Sequence, residues 1–247
     1  MTRKEKRFWK GAGLVSAEMI ATLVVFTTVL SGVIFLIRPR VRRYKKIDLK
    51  IFDLVKPHIT ERNNRLMSFF TLLGKHQFLI PANLSLIFYF LFIHKRTWFS
   101  IRVVSIALSS LLLMFALKHL FKRKRPTDPL LRPAKGLSFP SGHAIMSVTF
   151  FGLIIYIVSH EVRPQFLRTL IIAQLILLMQ VIGFSRVYLR VHYASDVVVG
   201  HITGLMWLLT SLGVLERLEE YNKGKVGQQS GQFDLIPISV MKDAVLS

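Results

Sequence analysis

Three short segments carry residue types and spacings suited to handling a phosphate group. In KHLFKRKRP, Lys118 is followed after six residues by Arg125-Pro126. The second segment is Pro140-Ser141-Gly142-His143. The third, SRVYLRVHYASD, holds Ser185-Arg186, then His192 and Asp196. Arg125 and Arg186 can each bind phosphate oxygens through a planar fork, and Lys118 adds a point charge. Phosphoryl transfer asks mainly for such positioned positive charge around the equatorial oxygens. Ser141-Gly142 opens a helical pattern, so its amides and the helix dipole would face an anion, and Gly142 permits close backbone approach. His192 and Asp196 are four apart and share a helix face if the helix starts near His192. The carboxylate would then fix the imidazole tautomer and stabilise its cation, leaving the other ring nitrogen free to attack phosphorus. His143 would be the general acid for the leaving oxygen.

These residues must be positioned by membrane-crossing elements. Hydrophobic residues make up 52% of the 247, gathered in runs long enough to cross a bilayer. Six spans are predicted, at residues 14–37, 78–93, 103–117 (or to 121), 143–159, 169–184 and 197–215. The first apolar stretch is too long for a signal-peptide core and no small-residue cleavage site follows it. The connections after spans three and five lie on one face, so all three segments can meet at one end of the helices. The long, cationic connection 38–77 carries Ile47, Ile51, Leu54 and Val55 at helical spacing, and then Leu66, Phe69, Phe70 and Leu73. That pattern suits amphipathic helices on the membrane surface, packed over the bundle or guiding a lipid. The connection 122–140 is rich in proline and cannot be one helix. The fold class is therefore all-α: a six-helix transmembrane bundle with amphipathic interfacial helices between spans one and two. Residues 1–216 form the membrane domain, and 217–247 a polar, loosely ordered tail.

The formal net charge of +21 arises from 34 Lys and Arg against 13 Asp and Glu. The cations sit between apolar spans, which points to anionic headgroups rather than nucleic acid. The absence of cysteine excludes disulfides, thiolate nucleophiles and Cys-ligated metal centres. No clustered carboxylates or Cys/His ligand set appears, so neither a metal nor a cofactor is expected. Taken singly, each segment has a plainer reading. Lys118, Lys122, Arg123, Lys124 and Arg125 could be a stop-transfer cluster, Pro140-Ser141-Gly142 a turn and N-cap, and Asp196 a partner for a helix dipole. His119, His160, His201, Tyr188 and Tyr193 keep structural readings. The conjunction of the three segments, in order and on one face, argues for a site.

Together these segments read K-x6-RP, PSGH and SR-x5-H-x3-D without departure, and so the sequence resembles the type 2 phosphatidic acid phosphatases. That resemblance implies a metal-independent membrane phosphatase with a six-helix core. It implies His192 as nucleophile, His143 as the acid for the leaving group, and Asp196 orienting His192. Lys118, Arg125, Ser141, Gly142 and Arg186 would bind the phosphate. It further implies a bacterial inner-membrane protein whose site faces the periplasm or exterior and whose termini are cytoplasmic. The raw count of Lys and Arg between spans favours the opposite orientation. Candidate substrates are phosphatidic acid, phosphatidylglycerophosphate, undecaprenyl pyrophosphate and a lipid A phosphate. Two other readings stay open from sequence: a lipid phosphotransferase using the same phosphohistidine, and a lipid phosphate transporter or binding protein. The polar groups gather at span ends rather than at the bilayer midplane, which favours an enzyme.

Overall fold

A computed structural model of the chain describes residues 41–131 and 136–233, together with Thr28 and Ser31. All of its regular structure among these residues is helical: α1 (Val41–Val55), α2 (Glu61–Leu73), α3 (His76–Phe88), α4 (Thr97–Phe121), α5 (Gly142–Glu161), α6 (Gln165–Tyr188) and α7 (Ala194–Phe233). Five helical stretches among them are long and apolar enough to cross a bilayer. They correspond to predicted spans two to six; predicted span one, residues 14–37, lies outside the described residues. The unit bounded by Val25–Ser211 holds every candidate site residue. Of the second unit, the described part is the continuation of α7 from 212, with ion pairs Arg217–Glu220 and Lys223–Glu219. Residues 217–233 are thus helical, where the sequence predicts a loose tail.

The second span differs most from its prediction. Thr60 caps α2 by accepting the Asn63 amide at 3.2 Å, and α2 runs to Gly74. After the short break at Gly74-Lys75 the chain resumes as α3 and continues as a π-helical turn over Tyr89–Ile93. The candidate span is therefore Glu61–Ile93. The Leu66, Phe69, Phe70, Leu73 pattern lies on α2, which the break at Gly74-Lys75 separates from α3. An amphipathic pattern alone cannot tell a surface helix from the half-buried end of a span. Helix α1 is a separate helix that packs on the spans, with Phe52 clustered against Ala144, Val187 and Val197. It turns Asp48 and Phe52 inward and leaves Ile47 and Leu54 exposed.

Helix α5 is the most enclosed, burying Ala144, Ile145, Val148, Phe150, Phe151 and Leu153 among others. It packs against α4 and α6. In α7, Gly200 and Gly204 are one turn apart. A Cβ on Gly200 would lie 2.8 Å from that of Ala144, and one on Gly204 3.0 Å from the Ile145 carbonyl oxygen. This small-xxx-small pair lets the α7 backbone approach α5 closely, as helices do in lipid, where no hydrophobic force drives them together. The consequence reaches the helix ends: the Ser141 amide, at the start of α5, donates to the Asp196 carbonyl at 3.0 Å. Across the bundle, Trp207 Nε1 donates to Ser109 Oγ at 2.9 Å, tying α7 to α4.

Candidate active site

The last turn of α4 brings Lys118. Its helix ends at Lys122, whose left-handed conformation (φ 48°) turns the chain outward, so Arg123 and Arg125 depart across the end of the bundle. The chain returns through Ser138 and Pro140 to Ser141, the N-cap of α5. Arg186 sits in the last turn of α6, His192 in the link that follows, and Asp196 in the first turn of α7. All the predicted site residues meet at this one end.

Lys118 Nζ donates to the carbonyls of Leu137 (2.9 Å) and Pro140 (3.0 Å), which pins the returning loop and leaves one of its three protons for a ligand. Arg125 Nη1 donates to the Val191 carbonyl at 2.8 Å and lies 3.3 Å from His192 Nε2. Burial lowers the Arg125 pKa and the Asp196 charge resists this. Arg186 Nη1 donates to Thr71 Oγ1 at 2.6 Å, so α2 contributes to the site. His192, 1% exposed, places Nδ1 3.4 Å from Asp196 Oδ2, a long contact that closes with a small ring movement. Its pKa is lowered from 6.5 to about 4, chiefly by burial. Asp196 opposes the shift, and the charges of Arg125 and Arg186 add to it. The imidazole is thus neutral at physiological pH, and the Nε2 lone pair faces the cations.

Four buried polar atoms here have no hydrogen-bond partner: Arg125 Nε, Arg186 Nε, Ser141 Oγ and His143 Nε2. A buried group left unsatisfied costs about 1–3 kcal/mol, and four such atoms on predicted site residues give an anion polar groups to meet. One expectation changes. The Ser141 amide, predicted to face an anion, is spent on the Asp196 carbonyl, and its side-chain hydroxyl is the free group instead.

Three participants escape sequence reasoning. Ser138 Oγ makes a short hydrogen bond to Asp196 Oδ2 and lies 3.5 Å from His192 Nδ1. Arg123, expected only as one of a stop-transfer cluster, donates to Asp196 Oδ1 at 2.6 Å and to Asp48 Oδ2 at 2.8 Å. Asp48 is 1% exposed. Asp48 shares its basic helix with a second acid, Asp53, so residue type alone does not single it out.

A cavity of about 660 Å³ opens from this polar end. Lys118, Arg125, Gly142, His143 and His192 line its head. Its length runs between α3, through Leu79, Leu84 and Ile87, and α4, through Leu108, Leu111 and Phe115. Leu84 and Leu108 are more than half exposed, so the slot is open sideways between α3 and α4. A phosphate-sized polar head and an apolar body of this width describe an amphiphile.

A helical membrane bundle with a cationic, two-histidine head on an apolar slot defines an integral-membrane phosphatase acting on lipid phosphates. Residues 98–219 match the PAP2 superfamily. The chain is 30% identical over 163 residues to phosphatidylglycerophosphatase B of Bacillus subtilis (strain 168), covering 65% of this chain and 79% of that protein. Its fold is similar to the crystal structure of a transmembrane PAP2-type phosphatidylglycerolphosphate phosphatase from Bacillus subtilis, with a TM-score of 0.65 and 24% identity, covering 81% of this chain and 96% of that one. It is also similar to Aquifex aeolicus LpxE, with a TM-score of 0.53 and 26% identity, over 67% and 94% of the two chains. The chain belongs to the PAP2 superfamily.

Proposed function

We propose that this phosphatase hydrolyses a glycerophospholipid monophosphate, with phosphatidylglycerophosphate first among the candidates, through a phosphohistidine on His192. The observation that carries this reading is the position of His192 Nε2 beside Arg125 at the polar head of the apolar slot. The lipid's chains lie in the slot, and its phosphate meets Lys118, Arg125 and Arg186, with Ser141 Oγ and the first amides of α5 completing the cradle. His192 Nε2 attacks phosphorus as the phosphorus–oxygen bond to the lipid breaks. His143 Nε2 gives its proton to the departing oxygen, forming the lipid alcohol. Asp196 holds the Nδ1 proton and stabilises the cationic phosphoimidazole. Water, deprotonated by His143, then attacks phosphorus, releasing phosphate and restoring both histidines.

The name of the curated Bacillus relative favours phosphatidylglycerophosphate, while phosphatidic acid, undecaprenyl pyrophosphate and a lipid A phosphate share the same head chemistry. The scheme uses no metal ion, as the family resemblance implies. On the family resemblance, the catalytic unit spans residues 1–216 with 217–247 as an appendage, in a bacterial inner membrane with the site facing the periplasm or exterior.

The test is phosphate release by detergent-purified protein in excess EDTA, across the four lipids and a soluble phosphate ester. Release from phosphatidylglycerophosphate well above the others is expected, as is no release by a folded His192→Ala variant. Substantial residual turnover in that variant removes His192 as nucleophile, and loss of wild-type activity in EDTA removes the metal-free scheme.

A further inference from the structure

Asp196 can hold His192 only if its own carboxylate is held, and the contacts that do so reach back to α1. Asp196 Oδ2 faces His192 Nδ1 and also takes the Ser138 hydroxyl and the Tyr193 amide (3.0 Å). Asp196 Oδ1 takes Arg123 Nη1. The other arm of the same guanidinium, Nη2, is bound to Asp48 Oδ2. Asp48 also accepts the Ser195 amide at 3.0 Å on Oδ1 and the Ser195 hydroxyl at 2.8 Å on Oδ2, gripping the first turn of α7 from a helix 147 residues away in sequence. Tyr193 stacks on Phe52 of α1 at 5.8 Å, and the Arg123 guanidinium lies 4.1 Å from the Tyr193 ring centre.

We infer that Asp48 and Arg123 are positioning residues for the hydrolysis, fixing the Asp196 carboxylate so that Oδ2 stays on His192. This rests on the reading of His192 as nucleophile. The reason is geometric. A guanidinium beside a buried carboxylate tends to close on it with both arms, taking both oxygens. Here Asp48 occupies one arm, so Arg123 reaches Asp196 through Nη1 alone and takes Oδ1 alone. Oδ2 remains for the imidazole. Arg123 and the two carboxylates are all shielded from solvent, with side chains 10%, 2% and 0% exposed. Buried charges of this kind carry a desolvation cost that a mere tether of α1 to the bundle would not need. Helix α1 is thereby part of the active site, although none of its side chains lines the cavity.

The test is a double-mutant cycle on kcat and KM, using the lipid that the wild-type enzyme turns over and rates per folded protein. Asp48→Asn and Arg123→Lys should each lower kcat about 10- to 100-fold with KM changed less than about twofold, the scale of a small misplacement of a reacting group. In an Asp196→Asn background, Asp48→Asn should cost less than about twofold more, because the carboxylate it positions is gone. The same factor in both backgrounds, or a wild-type kcat in a folded Asp48→Asn enzyme, overturns the proposal. A tether alone would lower the melting temperature and leave kcat untouched. Should Asp48→Asn not fold, Arg123→Lys decides. It keeps a cation over Tyr193 but loses the two-armed bridge, and a wild-type kcat there refutes the role. Activity surviving in His192→Ala would defeat the nucleophile assignment separately, while the cycle would still report whether Asp48 acts through Asp196.

Discussion

The two ring nitrogens of His192 have opposite surroundings, a carboxylate and a hydroxyl at Nδ1 and a guanidinium at Nε2. Neutral imidazole with its proton on Nδ1 satisfies both, which leaves the Nε2 lone pair toward the cavity. Attack requires that neutral form. Because burial holds the His192 pKa down at about 4, below the ordinary 6.5, the free enzyme keeps its nucleophile until the pH falls through about 4. The dependence of kcat/KM on pH reports the free enzyme, so its acid limb should lie near 4, once the substrate's own ionisation is allowed for. An acid limb near 6.5 would show the imidazole to be solvated as in a free peptide. A second prediction concerns Arg186, whose Nη1 is anchored on Thr71 while Nε is left free. Arg186→Lys keeps the charge but loses the fork, and kcat/KM should fall about 10- to 100-fold in steady-state assays. The residues proposed to hold the phosphate were legible in sequence because each carries its chemistry in its type and a short fixed spacing. Arg123, Ser138 and Asp48 were not. Their meaning depends on which carboxylate they face across the fold, and Asp48 reaches Ser195 from 147 residues away.

Helices α3 and α4 make the slot, and Ala107 is the small residue of its α4 wall, well away from the polar head. Ala107 lines the slot one turn below Leu111. Ala107→Trp would fill it, and overpacking of this kind costs about 1–3 kcal/mol where the walls must move. Turnover of a long-chain lipid should drop at least about tenfold through KM, while a short soluble phosphate ester, needing only the head, should change by less than about twofold. Equal losses on both would show that the slot is not the path of the lipid chains. The helices themselves were legible as long apolar runs, and spans three to six appear where expected, each extended by a few residues into the interface. The join of α2 to α3 was not. Lys75 and His76 interrupt the apolar run, and nothing in the sequence shows that α2 packs on α6. Nor did the stripe on α1 show its orientation. Ile47 and Leu54 point outward, and the inward face is led by a charge, Asp48.

At the scale of the whole molecule, the charge that argues against the expected orientation has another explanation. The site end carries Lys118, Arg123, Arg125 and Arg186, and each is bound to protein carbonyls, hydroxyls or carboxylates. Cations committed to a site are poor reporters of topology, since the positive-inside bias concerns charges that must be carried across or retained beside the bilayer as free groups. Removing them weakens the excess that would put the termini outside, and the site end is then free to face the periplasm or exterior. The opposite end of α5 is marked by the ion pair between Arg96 and Glu161 and by exposed Arg163. A helix of 20 residues rises about 30 Å, so the two ends lie on opposite membrane faces. The chain has no cysteine, so Thr127→Cys at the site end and Arg163→Cys at the other would each create its single thiol. A membrane-impermeant maleimide applied to intact spheroplasts should label Thr127→Cys, and should label Arg163→Cys only after lysis. The reverse pattern would put the phosphate site in the cytoplasm, where the substrate would have to be drawn from the inner leaflet through the opening between α3 and α4.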